Sequence, residues 1–333
     1  VVAFTFADET VPLNDMAAKY GYPLDDLAPA FANLGKRGDQ QLSIPLYGTT
    51  QVMYYRSDIF KELGIDPEQA FKSWQTLAEA AAKCTVVEGG EVKRYGWEPM
   101  WEVGSNNMVD AVLAAGGNIL SEDGKTVLID QAEWVEVWDS FRKWIHEDKI
   151  MRIHYGGEGW AHWYDTIADV MEGRACGYVG SSGDQGDLDF TKMAAHIQPG
   201  WNDNPPSPRA LGHQVIILKD APVEQQEAAF KFLAYFTQPD MTAEWSVRTG
   251  YLPMRLSAAT SPVLVEAAKT QPEKLVPPAQ LEYAVSAFVD PTGGKILDAI
   301  NKAADKVQIE GLPAAEALKE AAQEAQAALD AMK

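Results

Sequence analysis

Residues 42–60 read LSIPLYGTTQVMYYRSDIF, and this stretch decides the fold that we expect. Leu42, Ile44 and Leu46 recur at a period of two, which predicts a strand with one apolar face. Pro45 has no backbone N–H group to donate, so the pairing of this strand should end or shift there.

The second half of the stretch changes character. Residues 48–50 are small and would let a ligand approach the backbone. Residues 52–55 predict another short strand, and Asp58 can cap a helix that ends at Gly64. A small, polar break inside an extended run suits a chain that crosses between two lobes. An edge strand followed by a turn explains the same pattern equally well.

Composition limits the class of protein and of partner. The chain has 333 residues, of which 46% are hydrophobic and 23% charged. It is therefore long enough for two globular domains with a large core. No apolar run reaches the ~18 residues of a membrane-spanning helix. The net charge of −20 argues against a nucleic-acid partner, because phosphates need Lys and Arg.

Cysteine and histidine give no sign of a metal site. Cys84 and Cys176 form no CxxC pair and belong to no Cys/His cluster with zinc spacing. They can form one disulfide in an exported protein or remain two buried thiols, and the sequence leaves both open. His146, His154 and His162 are so spaced that they share no helical face,.

Motifs of common enzyme classes are also missing from the sequence. It contains no GxGxxG after a strand, no P-loop, no GxSxG and no HExxH,. We therefore expect no cofactor and no metal. One alternative stays open, because Glu98 and Glu102 are a candidate acid and base pair for glycoside hydrolysis.

The rest of the chain mixes helices with short strands, as α/β proteins do. Val1–Phe6 predicts a buried strand. Residues 131–147 predict the best helix of the chain, with Trp134, Trp138 and Trp144 on its apolar face,. We expect these three rings in the core.

One predicted strand leads into a loop suited to ligands. Residues 174–179 predict this strand, and the loop Gly-Ser-Ser-Gly-Asp follows at 180–184. Such a loop offers backbone N–H groups and hydroxyls to a ligand. Residues 212–218 predict a further buried strand, and residues 223–237 an amphipathic helix.

Several segments together resemble the extracellular solute-binding proteins of ABC importers, the family that includes maltose-binding and glycerol-3-phosphate-binding proteins. They occur in the family's order over most of the chain. The segments at 63–67 with 73–77, and at 244–245 with 249–253, are especially similar to the glycerol-3-phosphate binders. The segments are residues 44–60, 63–67, 73–77 and 171–176, and the pair 244–245 with 249–253.

The resemblance implies an α/β fold of the two-lobed periplasmic-binding-protein type (type II-like). The first lobe would hold residues 1–52 and 198–238, and the second residues 53–197 and 239–333. The ligand would bind in the cleft between the lobes, which would close on it by a hinge motion. The resemblance further implies a monomer without catalytic activity that delivers its solute to the membrane permease of the transporter.

The start of the chain departs from the family pattern. Family members begin with a strand, a helix and a further strand that have no counterpart ahead of Val1. At ordinary element lengths these units amount to about 60–80 residues. We therefore expect the first lobe to lack its N-terminal strand-helix units and the natural protein to carry them behind a signal peptide. Its place would be periplasmic or extracellular, with a lipoprotein anchor as one option.

The candidate ligand contacts are carried over by position from the resemblance. Asp8 or Glu9 would supply a carboxylate for sugar hydroxyls, and Glu98 and Trp101 a carboxylate and a stacking ring. The others lie at the first crossing, in the loop after residues 174–179, in a first-lobe strand and in a turn. They are Tyr47, Gly48, Thr49, Ser181, Ser182, Gly183, Gly212, His213 and Tyr251.

These residue types favour a neutral carbohydrate, from mono- to oligosaccharide. Carboxylates accept strong hydrogen bonds from hydroxyls, and aromatic rings pack against the apolar C–H face of a sugar. The alternative ligand is a glycerol phosphate, a phosphodiester or a sulfonated sugar derivative. Such an anion usually recruits Arg, whereas residues 283–295, where the glycerol-3-phosphate binders supply one, contain none.

Overall fold

The computed structural model describes residues 6–101 and 104–332. Residues 1–5 of the predicted first strand and Glu102 lie outside the described residues. The chain divides into two compact units, which we call unit 1 and unit 2. Unit 1 comprises Val1–Thr50, Ser181–Asp187 and Arg209–Val289, and unit 2 comprises Gln51–Gly180, Leu188–Pro208 and Asp290–Lys333.

The α-helices of the described part are numbered in chain order. They are α1 (Asn14–Tyr20), α2 (Pro29–Ala32), α3 (Ser57–Glu62), α4 (Pro67–Ala70), α5 (Trp74–Cys84), α6 (Gly104–Ala114), α7 (Ala132–Arg142), α8 (Ala161–Met171), α9 (Val223–Phe236), α10 (Pro239–Thr249), α11 (Pro262–Ala268), α12 (Val276–Gln280), α13 (Lys295–Gln308) and α14 (Ala314–Asp330). Short 3₁₀ turns at Ala7–Glu9 and Ser182–Gly186 matter for the site.

The strands are short and form small sheets. They are β1 (Lys36–Arg37), β2 (Gln40–Gln41), β3 (Ile44–Thr49), β4 (Gln51–Arg56), β5 (Val86–Glu88), β6 (Glu91–Arg94), β7 (Gly177–Ser181), β8 (Met193–His196), β9 (Arg209–Val215) and β10 (Val285–Ser286). The three-stranded sheets have the orders β10-β9-β3 in unit 1 and β7-β4-β8, centred on unit 2.

The register of β3 on β9 positions most of the candidate residues of unit 1. The two strands are antiparallel, with Tyr47 opposite His213 and Gly48 opposite Gly212. The register shifts between Pro45 and Tyr47. The predicted shift at Pro45 is therefore confirmed, and its cause is the donor that proline lacks.

Unit 1 packs β3 and β9 against helices through two apolar clusters. One joins Leu13, which immediately precedes α1, with Ile44 of β3 and Phe230 of α9. The other is built around Phe31 of α2, which packs with Leu252 and other buried residues. Through these clusters the side chains of neighbouring helices pack closely against β3 and β9,.

Unit 2 has a core rich in aromatic rings. Trp134 and Trp138 of α7 are completely buried, and Trp144 is nearly so, which confirms the predicted core face of residues 131–147. All six residues of β4 are buried. Ser73 caps α5 in a capping box with Thr76,.

Residues 239–289 lie in unit 1, although the sequence assigns them to the second lobe. The reason is long-range pairing. The Leu252 N–H group donates to the Gly48 carbonyl at 2.7 Å, and Val285 of β10 pairs with Arg209 of β9. Conversely, residues 198–208 fall in unit 2, where the Trp74 N–H group donates to the Gly200 carbonyl at 3.0 Å.

The two cysteines are both free and buried. The Cys176 thiol donates to the Cys84 carbonyl at 4.0 Å. This side-chain contact with Cys84, together with burial, raises the pKa of Cys176. The structure therefore places two free thiols in the core of unit 2,.

None of the helices in the described ranges is long and apolar enough to cross a membrane.

Candidate ligand-binding site

Three hydroxyls converge at the end of β3 in unit 1, and we call them the hydroxyl group. Thr49 Oγ1 lies 2.7 Å from Ser181 Oγ and 3.0 Å from Ser182 Oγ. The backbone fixes this arrangement, since the Ser182 N–H group donates to the Thr50 carbonyl at 3.0 Å. The Gly183 N–H group donates to Ser181 Oγ at 3.1 Å. The structure thus brings together residues that are more than 130 positions apart in sequence.

Four rings gather beside these hydroxyls, and we call them the ring group. Tyr47 is its centre. Its ring centroid lies 4.7 Å from that of His213, 5.1 Å from that of Tyr251 and 5.7 Å from that of Trp245. His213 is exposed, and the other three are partly buried, so the group is open to a ligand on one side.

The ring group and the hydroxyl group are neighbours. Tyr47 and Thr49 are two residues apart on β3, so their side chains point to the same face of the sheet. A Cβ atom built on Gly183 would lie 3.3 Å from the Tyr251 ring. Gly183 therefore lets the loop of the hydroxyl group approach the rings closely.

Gly48 and Gly212 lie against the Phe31 ring. A Cβ atom on Gly48 would lie 2.2 Å from the Phe31 ring, and one on Gly212 would lie 2.9 Å from it. Phe31 therefore occupies the space where a side chain at either position would lie. The two glycines pair with each other on the strands that carry Tyr47 and His213, and their contact with a ligand stays a prediction.

Asp8 and Glu9 lie in the 3₁₀ turn Ala7–Glu9 of unit 1. The Asp8 carboxylate accepts from Arg37 Nη1 at 3.0 Å and is almost fully exposed. The Lys219 N–H group donates to the Glu9 carbonyl at 2.9 Å. The structure gives neither carboxylate a hydrogen bond to the ring or hydroxyl group among the described residues, so their ligand role stays a prediction.

Glu98, the other predicted carboxylate, lies in a buried ion-pair cluster of unit 2. Its side chain is 0% exposed. Arg152 donates to Glu98 Oε1 through Nε at 2.9 Å and through Nη2 at 2.6 Å. Arg152 Nη2 also pairs with Asp169, whose Oδ1 accepts from Arg174 Nε at 2.6 Å. Glu98 thus links elements within unit 2, and its ligand role stays a prediction.

The same cluster contains the ligand types of a metal site. One ligand atom each from Glu98, His154 and Asp169 lie within 4.8 Å of one another. Arg152 contacts both carboxylates, however, and Arg174 contacts Asp169. Two guanidinium groups already balance two carboxylates, so these residues do not fit a divalent cation.

Burial controls the titration of this cluster. It raises the pKa of Glu98 from 4.5 to about 7, although the charge of Arg152 opposes the shift. Burial also lowers the pKa of His154. In the folded protein Glu98 therefore takes up its proton at a higher pH than in the unfolded chain, so its ionisation disfavours the folded state.

This shift gives a prediction for Glu98→Gln. In the wild type, the free energy of unfolding should fall as pH rises between about 4.5 and 7, by up to about 3 kcal/mol,. The loss is complete above the folded pKa and absent below the unfolded one. Glu98→Gln has no such titration, so its profile should lack this decline. Urea unfolding at a series of pH values measures both slopes.

The control for this prediction is Glu88→Gln, at an exposed glutamate of the same unit. It should keep the slope of the wild type. Parallel profiles for Glu98→Gln and the wild type would show that Glu98 does not titrate in this range.

Trp101 is half-buried in unit 2. Its Nε1 donates to Asp305 Oδ1 at 2.9 Å, and its ring stands perpendicular to His162 with centroids 4.8 Å apart. Asp305 belongs to α13, and His162 to α8. Trp101 therefore has a fixed orientation with part of its surface free, as a stacking ring needs.

Trp245 is a member of the ring group that the residue-by-residue reasoning missed. It lies in α10 and contacts Tyr47 and Phe236. The available signal was its place in the 244–253 segment, six residues before Tyr251. One helix turn and the Gly250 cap separate the two rings in sequence.

A family model described as "Bacterial extracellular solute-binding protein" matches residues 2–272. The chain belongs to this family. The match covers most of unit 1 and all of the ring and hydroxyl groups. The resemblance expected from the segments between residues 44 and 253 is thereby confirmed.

Curated relatives share about a quarter of the aligned residues with this chain. The sn-glycerol-3-phosphate-binding periplasmic protein UgpB of Yersinia enterocolitica is 25% identical over 228 residues, which are 65% of this chain and 49% of the relative. UgpB of Escherichia coli K12 is 24% identical over 218 residues, 65% and 50% of the two chains. This solute-binding chain thus spans about half the length of the curated relatives it matches.

Solved structures show the fold. The cyclic alpha-maltosyl-1,6-maltose binding protein of Arthrobacter globiformis matches with a TM-score of 0.80 and 22% identity over 99% of this chain and 83% of that one. UgpB of Mycobacterium tuberculosis, solved with glycerophosphocholine, matches with a TM-score of 0.82 and 19% identity over 99% and 82%. The predicted α/β periplasmic-binding-protein fold class is confirmed.

Proposed function

We propose that this solute-binding protein recognises a neutral carbohydrate, from mono- to oligosaccharide, as the substrate-binding component of an ABC importer. It acts as a monomer, without catalysis, and delivers the sugar to the membrane permease. It works in the periplasm or outside the cell, free or held by a lipid anchor. The family match and the relatives named above support the transport role.

The observation that carries the carbohydrate ligand is the adjoining ring and hydroxyl groups of unit 1. Tyr47 and the three rings that contact it give an aromatic surface for the C–H face of a sugar,. Thr49, Ser181 and Ser182 give hydroxyls that both donate and accept,. Neither group contains a Lys or Arg. A neutral polyhydroxylated ligand matches this combination of an apolar face and uncharged polar atoms.

A glycerol phosphate, a phosphodiester or a sulfonated sugar is the second candidate. It is favoured by the names of the relatives, since those curated relatives bind sn-glycerol 3-phosphate and one solved relative holds glycerophosphocholine. Against it stands the electrostatics of the site. A buried phosphate without a guanidinium partner costs several kcal/mol, and the ring and hydroxyl groups supply no such partner.

A glycoside hydrolase is the distant alternative. Its candidate acid, Glu98, is completely buried and bonded to Arg152, where a substrate oxygen does not reach it. Incubation with labelled oligosaccharides tests this point, since we expect no turnover above the blank.

Calorimetric titration tests the ligand class. Maltose or maltotriose should bind with measurable heat, whereas glycerol 3-phosphate and glycerophosphocholine should give none. The proposal would be overturned if glycerol 3-phosphate or glycerophosphocholine bound tightly and neither sugar gave any heat of binding.

Unit 2 contributes Trp101 to the proposed binding. That the ligand lies between two lobes which close on it remains a prediction from the resemblance. Under this proposal Trp101→Ala should weaken sugar binding by about 1–3 kcal/mol, because a large ring leaves the contact. Calorimetry on the variant measures the loss.

Asp305→Asn is the matched control for Trp101→Ala. It weakens the charge-assisted partner of the indole but keeps the ring, so its effect on affinity should be small. An unchanged dissociation constant in Trp101→Ala would assign Trp101 to the core alone.

A further inference from the structure

Unit 1 contains a second concave site that shares no residue with the ring group or the hydroxyl group. It is an open pocket of about 340 Å³, within the size range of small-molecule sites. Its walls combine three tyrosine rings with two cationic side chains and one carboxylate, that of Asp26. The residues that matter are Tyr20, Tyr22, Tyr235, Lys231, Gln238 and Arg255.

The tyrosine walls are held in place from behind. Tyr20 and Tyr22 flank Gly21, which ends α1 in the left-handed conformation with a φ of 64°. Both rings pack on Phe230, at centroid distances of 5.8 and 5.7 Å. The Tyr22 and Thr237 hydroxyls lie 2.8 Å apart. The pocket therefore has a preformed floor with little rotamer freedom left to lose.

Arg255 is the buried cation of this pocket. Its side chain is only 3% exposed, and its guanidinium lies 4.0 Å from the Tyr22 ring centroid. Nε donates to the Thr237 carbonyl at 2.8 Å, and Nη1 donates to the Pro23 carbonyl at 2.7 Å. Nη2 has no hydrogen bond among the described residues. A buried guanidinium with a free donor on a pocket wall is ready for an anionic acceptor.

Asp26, the carboxylate nearest to Arg255, forms no hydrogen bond with Arg255 Nη2 among the described residues. Asp26 Oδ2 lies 3.6 Å from Arg255 Nη1. Its two oxygens already accept from Ser257, from the N–H group at 2.9 Å and from the hydroxyl at 2.6 Å. Asp26 therefore compensates the charge of Arg255 without covering Nη2.

Lys231 is the second cation, at the rim. Its Nζ lies 5.2 Å from the Tyr20 ring centroid. Glu227, one turn earlier on α9, is bonded to Lys19 at 2.6 Å and to Tyr20 at 2.9 Å. Across the described part of the chain, Lys231 has no carboxylate within ion-pair distance. Two cations, Lys231 and Arg255, against one carboxylate, Asp26, leave the pocket lining with an excess of positive charge, in a chain whose net charge is −20,.

We propose that this pocket binds a small organic anion, namely a carboxylate attached to a flat apolar ring. The carboxylate lies between Lys231 Nζ and Arg255 Nη2, and the flat body packs against Tyr20, Tyr22 and Tyr235. The charge pair selects the anion, and the tyrosine faces select the ring. The site is separate from the proposed sugar contacts, so its success or failure leaves the proposed function unaffected.

Fluorine NMR with para-fluorobenzoate tests this site on the full chain. We expect saturable binding at one site. Lys231→Met, which keeps the stem and removes the charge, should weaken it about tenfold, as expected for loss of a charged hydrogen-bond donor. Tyr235→Ala should also weaken it, through loss of the exposed ring wall. Lys36→Met, at an exposed lysine of the same unit, should leave it unchanged.

Two further probes separate charge from shape. Para-fluorobenzyl alcohol has the ring without the charge, and inorganic phosphate has the charge without the ring; both should compete poorly. The proposal is overturned if para-fluorobenzoate shows no saturable binding, if Lys231→Met and Tyr235→Ala bind it as the wild type does, or if either probe competes as well as para-fluorobenzoate.

Discussion

Gly48→Ala should destabilise unit 1 by about 3 kcal/mol, at the upper end of the cost of overpacking. The added Cβ atom would lie 2.2 Å from one carbon of the Phe31 ring and 2.8 Å from the Leu211 carbonyl oxygen. Phe31 is completely buried among Ala210, Leu252 and their neighbours, so its ring cannot move aside without opening the cluster. Chemical denaturation of the variant measures the loss.

Phe31→Leu supplies the decisive comparison, because a smaller side chain at position 31 makes room for the new methyl group. The double variant should be less destabilised than the sum of the two single changes, since the residues are in contact. Gly186→Ala is the matched control in unit 1, where a Cβ atom meets nothing within 4 Å. A stable Gly48→Ala variant that only loses ligand would return Gly48 to the role of a ligand approach point.

Tyr47→Ala should weaken carbohydrate binding by about 2 kcal/mol or more, which is roughly thirtyfold or more in the dissociation constant. Tyr47 is the ring that contacts the other three members of the group, His213, Trp245 and Tyr251. Its removal takes away one stacking face and also the support of its neighbours. Calorimetric titration with the sugar that binds the wild type measures the effect.

Tyr47→Phe is the control for that variant, because it keeps the ring and removes only the hydroxyl. It should retain most of the affinity if stacking dominates. Equal losses in Tyr47→Phe and Tyr47→Ala would mean that the hydroxyl carries the contact. Unchanged affinity in Tyr47→Ala would remove the ring group from the site.

Local patterns in the sequence were enough to predict the strand that carries Tyr47 and Thr49 and the buried face of residues 131–147. The period of two over Leu42, Ile44 and Leu46 predicted the strand, and the missing donor of Pro45 predicted its register shift, which the pairing with β9 confirms. The apolar face of residues 131–147 placed its three Trp rings correctly in the core. These features depend on neighbours in sequence, so periodicity reveals them.

Other features depend on contacts between distant segments, which no local pattern encodes. The close packing of Phe31 on Gly48 is one of them, because Phe31 lies in another element. The ion pair of Glu98 is not visible in the sequence, because its partner Arg152 is 54 residues away. Residues 239–289 lie in unit 1 through contacts with segments far away in sequence, among them the pairing of β10 with β9 and the Gly48 to Leu252 hydrogen bond.

Hydrogen exchange with and without bound carbohydrate tests the central claim most directly. The sugar used is the one that calorimetry selects, at saturating concentration. The account predicts slower amide exchange in three segments of unit 1, at residues 44–49, 181–187 and 249–252, which carry Tyr47 and Tyr251 of the ring group and all three residues of the hydroxyl group. Unchanged exchange in all three segments, with slower exchange only elsewhere in the chain, would contradict it.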